Sequence, residues 1–541
     1  MKRIYLSILA ISLSTALSAQ TAFWTNTSYR GAFPVTDNTS ASDWTSGWSN
    51  FDPENTVYGS PTSTVSADIV SNTTWSGIVH LKNKTYVKNG ATLTILPGTI
   101  IRGDKATEGT LIVTRGSKIN AAGTASSPIV FTSNENVGNR IEGDWGGLVI
   151  LGNAINNQPS GIANIEGIAP TLDTEFGGTD DNDNSGILKY IRIEFAGIAL
   201  QPNKEINGIT FGSVGKQTEV DYIQVSFSGD DSFEWFGGTV DCKHLISYRG
   251  LDDDFDTDFG YRGRVQFGLI IRDKDISDAA GDSNAFESDN DANGSNALPK
   301  TAAVFSNITI VGPKGNGSIA LPTGEKFEKS FRIRRNSGIS VFNSISTGWK
   351  KGLSIEGAST ESNFTGGSSF FSNNLLANYA AGTTVVSAGT SIYANFFGAQ
   401  NNDSTKTISQ INWVNLFTAL GTTPDARLNS SSIAANGASF ANSIFGGEFV
   451  NTEMIASIGD FKVYPNPAKS EITIELDLPQ SANTTLRIYD MRGVLVKLKE
   501  FQELEIGTNK IQINISELST GIYNSVLTSG NNSKNFKISI L

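Results

Sequence analysis

From residue 91 to residue 357 the sequence keeps repeating one event, a short β-branched run closed by Gly, Asn or Ser. "ATLTILPGTIIRG" (91–103), "GTLIVTRGSKINAAG" (109–123), "SPIVFTS" (127–133) and "WGGLVILGNAI" (145–155) follow one another. "LKYIRIEFAG" (188–197), "VDYIQVSFSG" (220–229), "KHLISYRG" (243–250) and "VQFGLIIRD" (265–273) continue the series. Leu188 and Val220 open similar strands 32 residues apart, and Lys243 follows 23 residues after Val220. A loose period of about 20–30 residues is the signature of a solenoid, in which one coil cannot bury its apolar face alone and stacking creates the core. Within a coil the inward positions alternate, as Ile191, Ile193 and Phe195 do in "YIRIEF". The turns bulge outward and carry polar insertions, at 157–187, 274–303 and 358–411. At 541 residues the chain exceeds the roughly 300 that a single compact core supports, so it is either an extended solenoid or an array of domains such as immunoglobulin-like sandwiches. The 55 Gly and 30 Phe suit turns and packed strands in either case.

"TLTILPGTIIRG", "SPIVFTS" and "DWGGLVILGNA" resemble the opening coils of large secreted bacterial β-helix proteins. The stretch from Thr74 to Gly357 is similar to the right-handed parallel β-helix of the pectate-lyase-like superfamily. This resemblance implies an all-β fold, a right-handed parallel β-helix solenoid, and says little about activity.

The last eighty residues differ in texture, being Lys-rich, alternating and compact. Tyr464-Pro465-Asn466-Pro467, "IYDMRG" ending at Gly493, and "LSTGIY" with Gly521 and Tyr523 resemble the C-terminal sorting domain of type IX secretion cargo of the Bacteroidetes. The resemblance implies a small β-sandwich read by the outer-membrane translocon, with release of the cargo or its attachment to surface lipopolysaccharide. Departures are the "NSVL" that follows Tyr523 and the "KISIL" ending. At the other end, Lys2 and Arg3, the apolar Ile4–Leu17 and small Ser18 and Ala19 read as a signal peptide cleaved before Gln20. The expected organisation is a signal peptide at 1–19, a Trp-rich leader or cap at 20–71 and the β-helix at 72–450. A linker at 451–460 and the sorting domain at 461–541 complete it. Trp24, Trp44, Trp48 and Trp75 are expected to cover the first coil. No later stretch approaches the roughly 20 apolar residues of a membrane helix, so a location outside the cell or on its outer surface is expected.

A single cysteine, Cys242, excludes an intramolecular disulfide and a Cys-based zinc site. With only His80 and His244 there is little material for a multi-His metal site or a Ser-His-Asp centre. The formal charge of −12 argues against nucleic acid as a partner. That charge is concentrated: between Asp230 and Asp291 lie 16 acidic against 6 basic residues, a field that attracts cations.

Three stretches carry candidate chemistry. In "TDDNDNSGILKYIR", Asp181, Asp183 and Ser185 fall at positions 1, 3 and 5 of a calcium-loop pattern with Gly186 at the turn; position 12 is Arg192, not the expected Glu. An Asx-rich turn is the simpler alternative. In "SFSGDDSFEWFGG", Asp230 and Asp231 are adjacent carboxylates of the kind that divide acid and base roles in glycoside hydrolysis. β-Helix polygalacturonases carry such a pair, but their Gly-His-Gly and Arg-Ile-Lys motifs are missing here. In "LDDDFDTDFGYRGR", Asp252, Asp253, Asp254, Asp256 and Asp258 offer oxygens to calcium, and Arg249, Arg262 or Arg264 would be the base of a calcium-dependent lyase. Strand neighbours point opposite ways, so a strand cannot gather all five aspartates. Trp235, Phe236 and Tyr261 are candidates for a sugar-stacking platform, or else core. These features favour a secreted or surface-attached protein binding an extracellular ligand, such as polysaccharide, with calcium. A calcium-dependent lyase or a glycoside hydrolase is the enzymatic alternative, and a structural adhesion protein the third.

Overall fold

The computed structural model describes residues 23–201, 204–279, 281–315, 319–380, 382–387, 392–417, 422–445, 461–478, 482–490, 495–505, 507–529 and 532–541. The expected signal peptide, the linker at 451–460 and Gly493 lie outside these.

The main body is a parallel β-helix with three strand faces. One face is a ten-stranded parallel sheet that runs from Lys84–Val87 through Thr110–Val113, Gly147–Leu151 and Ile209–Gly212. It continues through Phe233–Phe236, Phe255–Asp258, Phe286–Ser288 and Lys329–Ile333 to Lys351–Ile355 and Val385–Ser387. The other two faces share long strands bent at one residue. Gly186–Glu194 pairs with Glu219–Ser226 on both sides of Tyr190 and Tyr222, which are skipped in the register. Tyr190, Tyr222, His244, Phe267 and Asn307 all have φ between 50° and 65°, so each turns the chain at the same corner of successive coils. The first three rings stack, at 4.4 Å and then 4.2 Å. This corner costs each non-glycine residue some strain, offset by the stacking.

Inward alternation fills the solenoid. On the ten-stranded face Phe233, Phe255 and Phe286 are in register and fully buried. Phe286 belongs to the stretch expected to be a polar insertion, whose flanking Ser, Asn and Asp hide a true coil. The coils also continue beyond Gly357, through Phe371–Ser372, Leu375–Ala377 and Val385–Ser387, before Phe364, Tyr393 and Phe397 pack against the end of the core.

Only the end of the leader, Ser63–Val65 and the buried Ile69, lies over the first coil; the rest does not. Its backbone and side chains bond outward-facing groups of coil after coil: Thr25 with Gln266 at 2.8 Å, Ala32 with Thr309 at 2.9 Å and Asn50 with Gln224 at 2.8 Å. Tyr58 then donates to Glu194 at 2.8 Å, Arg102 donates to the Gly59 carbonyl at 2.9 Å, and Ser63–Val65 pairs with Ile78–Leu81. Trp44 stacks on Phe33 at 4.9 Å and meets His244 at 5.2 Å; Trp48 meets Tyr190 and Tyr222 edge-on. Trp24 contacts Phe445. Of the four tryptophans expected in a cap, only Trp75 lies in the first coils of the core. The apolar ladder at the corner is what the leader covers, so it is a strap along the flank.

The C-terminal module is a separate β-sandwich. Phe461–Tyr464, Glu471–Leu478 and Gly507–Asn514 form one antiparallel sheet; Ala482–Tyr489, Leu495–Leu504, Gly521–Ser529 and Asn532–Ile540 form the other. Tyr464 donates to Glu475 at 2.9 Å, and Asn466 accepts from the Ser539 amide at 2.8 Å, which fastens the opening motif to the last strand. Pro465 and Pro467 are exposed beside them. Gly521 begins its strand, and the buried Tyr523 donates to the Ser519 carbonyl at 2.7 Å.

Candidate functional site: an acidic groove on the ten-stranded face

The outward positions of the ten-stranded face form a ladder whose chemistry changes along the solenoid. In register, coil by coil, it reads Ile112, Val149, Thr210, Glu234, Asp256, Glu287, Arg332 and Ser354. Adjacent coils are about 4.8 Å apart, so Glu234, Asp256 and Glu287 are stacked carboxylates. The turns entering these strands add Asp230 and Asp231 on one coil and Asp252 and Asp253 on the next. With Asp278, Asp282, Arg332 and Arg334 they line a groove of about 620 Å³.

Three triads of oxygens, each within 4.8 Å, overlap there: Asp230, Asp231 and Asp252; Asp231, Glu234 and Asp256; Asp253, Asp256 and Glu287. Burial, then mutual repulsion, holds Asp231, Glu234, Asp253 and Asp256 well above the ordinary carboxylate range. Burial also raises Glu287, against the pull of Arg334 and Arg332. The Asp231 carboxylate accepts from the Asp253 amide at 2.9 Å, Asn207 donates to Glu234, and Arg332 meets Glu287 at 3.0 Å. Such a set either holds protons or holds a cation, because several adjacent buried anions are otherwise prohibitively costly.

Of the residues singled out from sequence, Asp230, Asp231, Asp252, Asp253 and Asp256 meet in this groove. Asp254 does not. It lies in the bend just before the strand Phe255–Asp258, outside the alternation, where it pairs with Arg272 at 3.3 Å, both side chains fully buried; burial pushes its carboxyl up to about 6. Asp258 points outward on the neighbouring ladder, outside the three triads. The residues of the calcium-loop pattern each have protein partners. Asp181 is held by Arg262 through contacts of 2.9 and 3.0 Å, while Asp183 accepts from Asn153 at 2.9 Å and Ser185 at 3.0 Å. Asp181 is thus engaged by Arg262, while Asp183 and Ser185 bond each other within the turn. The proposed bases are also elsewhere: Arg262 on Asp181, Arg264 on Asp241 at 2.9 Å, and Arg249 on Asp273 at 3.1 Å. Trp235 and Tyr261 are not a platform. Both are fully buried, stacked on each other at 5.4 Å inside the solenoid, because Glu234 and Phe236 take the outward positions around Trp235.

Glu234 and Glu287 were missed by sequence reasoning. The signal for Glu234 was its place between inward Phe233 and Trp235. For Glu287 it was the preceding Phe286, masked by polar neighbours.

Residues 64–418 match the family described as "Pectate-lyase like beta helix domain". The chain belongs to the pectate-lyase-like β-helix family. Residues 462–541 match the "Secretion system C-terminal sorting domain", so this β-helix is cargo of the type IX system, exported to the cell surface or beyond. No helix among the described residues is long and apolar enough to cross a membrane. Comparison with curated proteins gives no match. Among solved structures, tailspike protein 2 of Escherichia coli O157:H7 bacteriophage CAB120 is 9% identical over 86% of this chain, with a TM-score of 0.24. The aligned part spans 64% of that tailspike's length. The Dettilon tailspike protein is 8% identical over 86% of this chain and 85% of its own, with a TM-score of 0.22. Likeness at these scores carries no functional inference.

Proposed function

We propose that this exported β-helix binds an extracellular polysaccharide along its ten-stranded face, with calcium held by the acidic groove. The observation that carries the reading is the overlap of three carboxylate triads on consecutive coils. Calcium takes six to eight oxygens at flexible geometry, and Asp231, Glu234, Asp253, Asp256 and Glu287 would hold it. A bound divalent cation would lift the charge penalty of these side chains and offer a site to the carboxylates or hydroxyls of a glycan. Stacked coils also give a linear polymer a periodic surface parallel to the solenoid axis.

Glycan-array binding of the mature protein, with and without chelator, tests this reading, together with calcium titration by calorimetry. Calcium-dependent retention of acidic glycans is the expected result. Unchanged glycan binding and melting temperature after chelation would refute the calcium role, and silence across the array would leave a structural surface protein. Glycoside hydrolysis is the second reading, favoured by Asp231, Glu234 and Asp256, whose raised carboxyls suit a general acid beside an ionised partner. New reducing ends, without unsaturated ones, distinguish it. The lyase reading is weakened by the engagement of Arg249, Arg262 and Arg264 away from the groove.

A further inference from the structure

Next to the groove, the outward ladder is apolar and the chain covers it with its own insertion. Ile112, Val149, Leu151 and Phe236 on the sheet pack with Ile165, Ile168 and Phe176 of the 157–187 segment. The cover is firmly built. Ala163–Asn164 pairs with Glu175–Phe176, and the Ile165 amide donates to the Thr174 carbonyl at 3.0 Å. Thr171 and Thr174 cap the intervening turn reciprocally. Arg115 holds Glu175 at 2.6 Å and Lys88 holds Asp173 at 3.0 Å. Phe176 lies flat on the sheet only because residue 212 is glycine: a Cβ there would sit 2.7 Å from the Phe176 ring.

The cover stops short of the carboxylates and leaves a cleft of about 490 Å³. Its walls are Ile165, Ile168, Pro170, Phe176, Phe236 and Phe259. Phe176 and Phe236 stack at 6.0 Å, and Phe259 tilts against Phe236 at 5.1 Å. Only two side chains in the lining carry polar groups. Asn164 uses its oxygen to accept from Thr174 at 2.9 Å. Glu166 lines both this cleft and the acidic groove, so the two spaces adjoin.

We propose that this cleft is a subsite for a methyl-bearing apolar substituent of the glycan that occupies the groove. The inference rests on the glycan-binding reading above and names the chemistry of the ligand. Phe176 is fully buried and Phe236 nearly so, and the apolar surface a ligand meets is Phe259 with the edges of Ile168 and Pro170; a hydroxyl held against it gives up water, whereas a methyl group loses nothing. The methyl of a 6-deoxyhexose and the acetyl of an N-acetylhexosamine share this chemistry. Apolar walls with a few polar groups, here Asn164 and Glu166, are the usual anatomy of a small-ligand site.

Saturation-transfer NMR on the full mature protein in calcium buffer provides the test. The probes are 6-deoxy-D-galactose against D-galactose, 6-deoxy-D-glucose against D-glucose, and N-acetylglucosamine against glucosamine. A methyl-bearing sugar is expected to bind about tenfold more tightly than its counterpart, the discrimination an apolar pocket gives for one small group. Its methyl protons should receive the strongest saturation. Phe259→Ser and, separately, Ile168→Asp should abolish the preference while calcium still raises the melting temperature as in the parent. The deoxy pairs and the acetyl pair tell which substituent is taken. Equal or undetectable binding within all three pairs overturns the subsite, as does a preference that survives both variants. Loss of the calcium effect with the methyl preference intact would sink the groove reading alone.

Discussion

Replacing Asp258 by Asn should make the protein more stable at neutral pH and leave it unchanged in acid. Asp258 is outward on the ladder beside the acidic groove, and burial pushes its carboxyl up to about 8 from an ordinary 3.8. The Phe259 amide hydrogen bond and Arg335 pull the other way; Asp289 and Asp291 add to the rise. In the unfolded chain this group ionises near its ordinary value. The stability associated with its protonated form is therefore complete below about pH 4 and is lost as pH climbs toward 8, by up to about 1.4 kcal/mol per pH unit. By pH 7 the accumulated loss has an upper bound of about 4 kcal/mol, and neighbours that titrate with it bring the expected figure to about 2 kcal/mol. Asparagine removes the ionisation but keeps an oxygen to accept from the Phe259 amide, now 2.6 Å away. Urea unfolding followed by tryptophan fluorescence, in chelator from pH 4 to 8, compares parent and variant. Curves that coincide at pH 4 and separate in favour of Asn by pH 7.5 are expected. A constant offset across the range, or a less stable Asn variant at pH 7.5, would refute the reasoning.

Calcium should raise the melting temperature of the parent at pH 7.5 and lose that effect at pH 4, where the groove carboxyls are protonated; calorimetry of Asp253→Asn/Asp256→Asn should show no saturable calcium binding. Asp254→Leu should cost about 3–5 kcal/mol in denaturant melts by leaving Arg272 charged and buried, and adding Arg272→Met should recover most of it. Trp48→Ala should cost about 3–5 kcal/mol and expose the strap to limited proteolysis while the coils stay resistant. Deleting residues 461–541 should keep the folded β-helix from reaching the cell surface, as cell fractionation would show.

The solenoid was legible because its cause is local: short apolar alternation closed by turn residues recurs at each coil, and stacking follows. The sandwich at the carboxyl end was legible from its motifs. The groove was half legible. Asp230, Asp231, Asp252, Asp253 and Asp256 announced themselves by density, but density says nothing of direction, so Asp254 and Asp258 were counted with them. Applying the alternation to "FEWF" and "FDTD" separates inward Trp235 from outward Glu234. What alternation cannot give is which coil lies next to which. Glu287 stacks on Asp256 from 31 residues away, across a long insertion, and Arg262 finds Asp181 from 81 residues away. The position of the leader was illegible for the same reason, since its partners lie up to hundreds of residues downstream.

That leader has a consequence for how the molecule comes apart. A bare solenoid is a stack of nearest-neighbour interfaces and frays one coil at a time from either end. Here residues 25 to 65 reach from the adjacent coils of Gln266 and Thr309 back to the first coil, so opening an inner interface also requires lifting a segment anchored on several others. The strap works as a clasp across the stack: it raises cooperativity, and because Ala32 and Thr309 are 277 residues apart it closes only after the coils beneath it exist. The stacked rings of Tyr190, Tyr222 and His244 are then shut away from other chains, and the open form is the short-lived, sticky one.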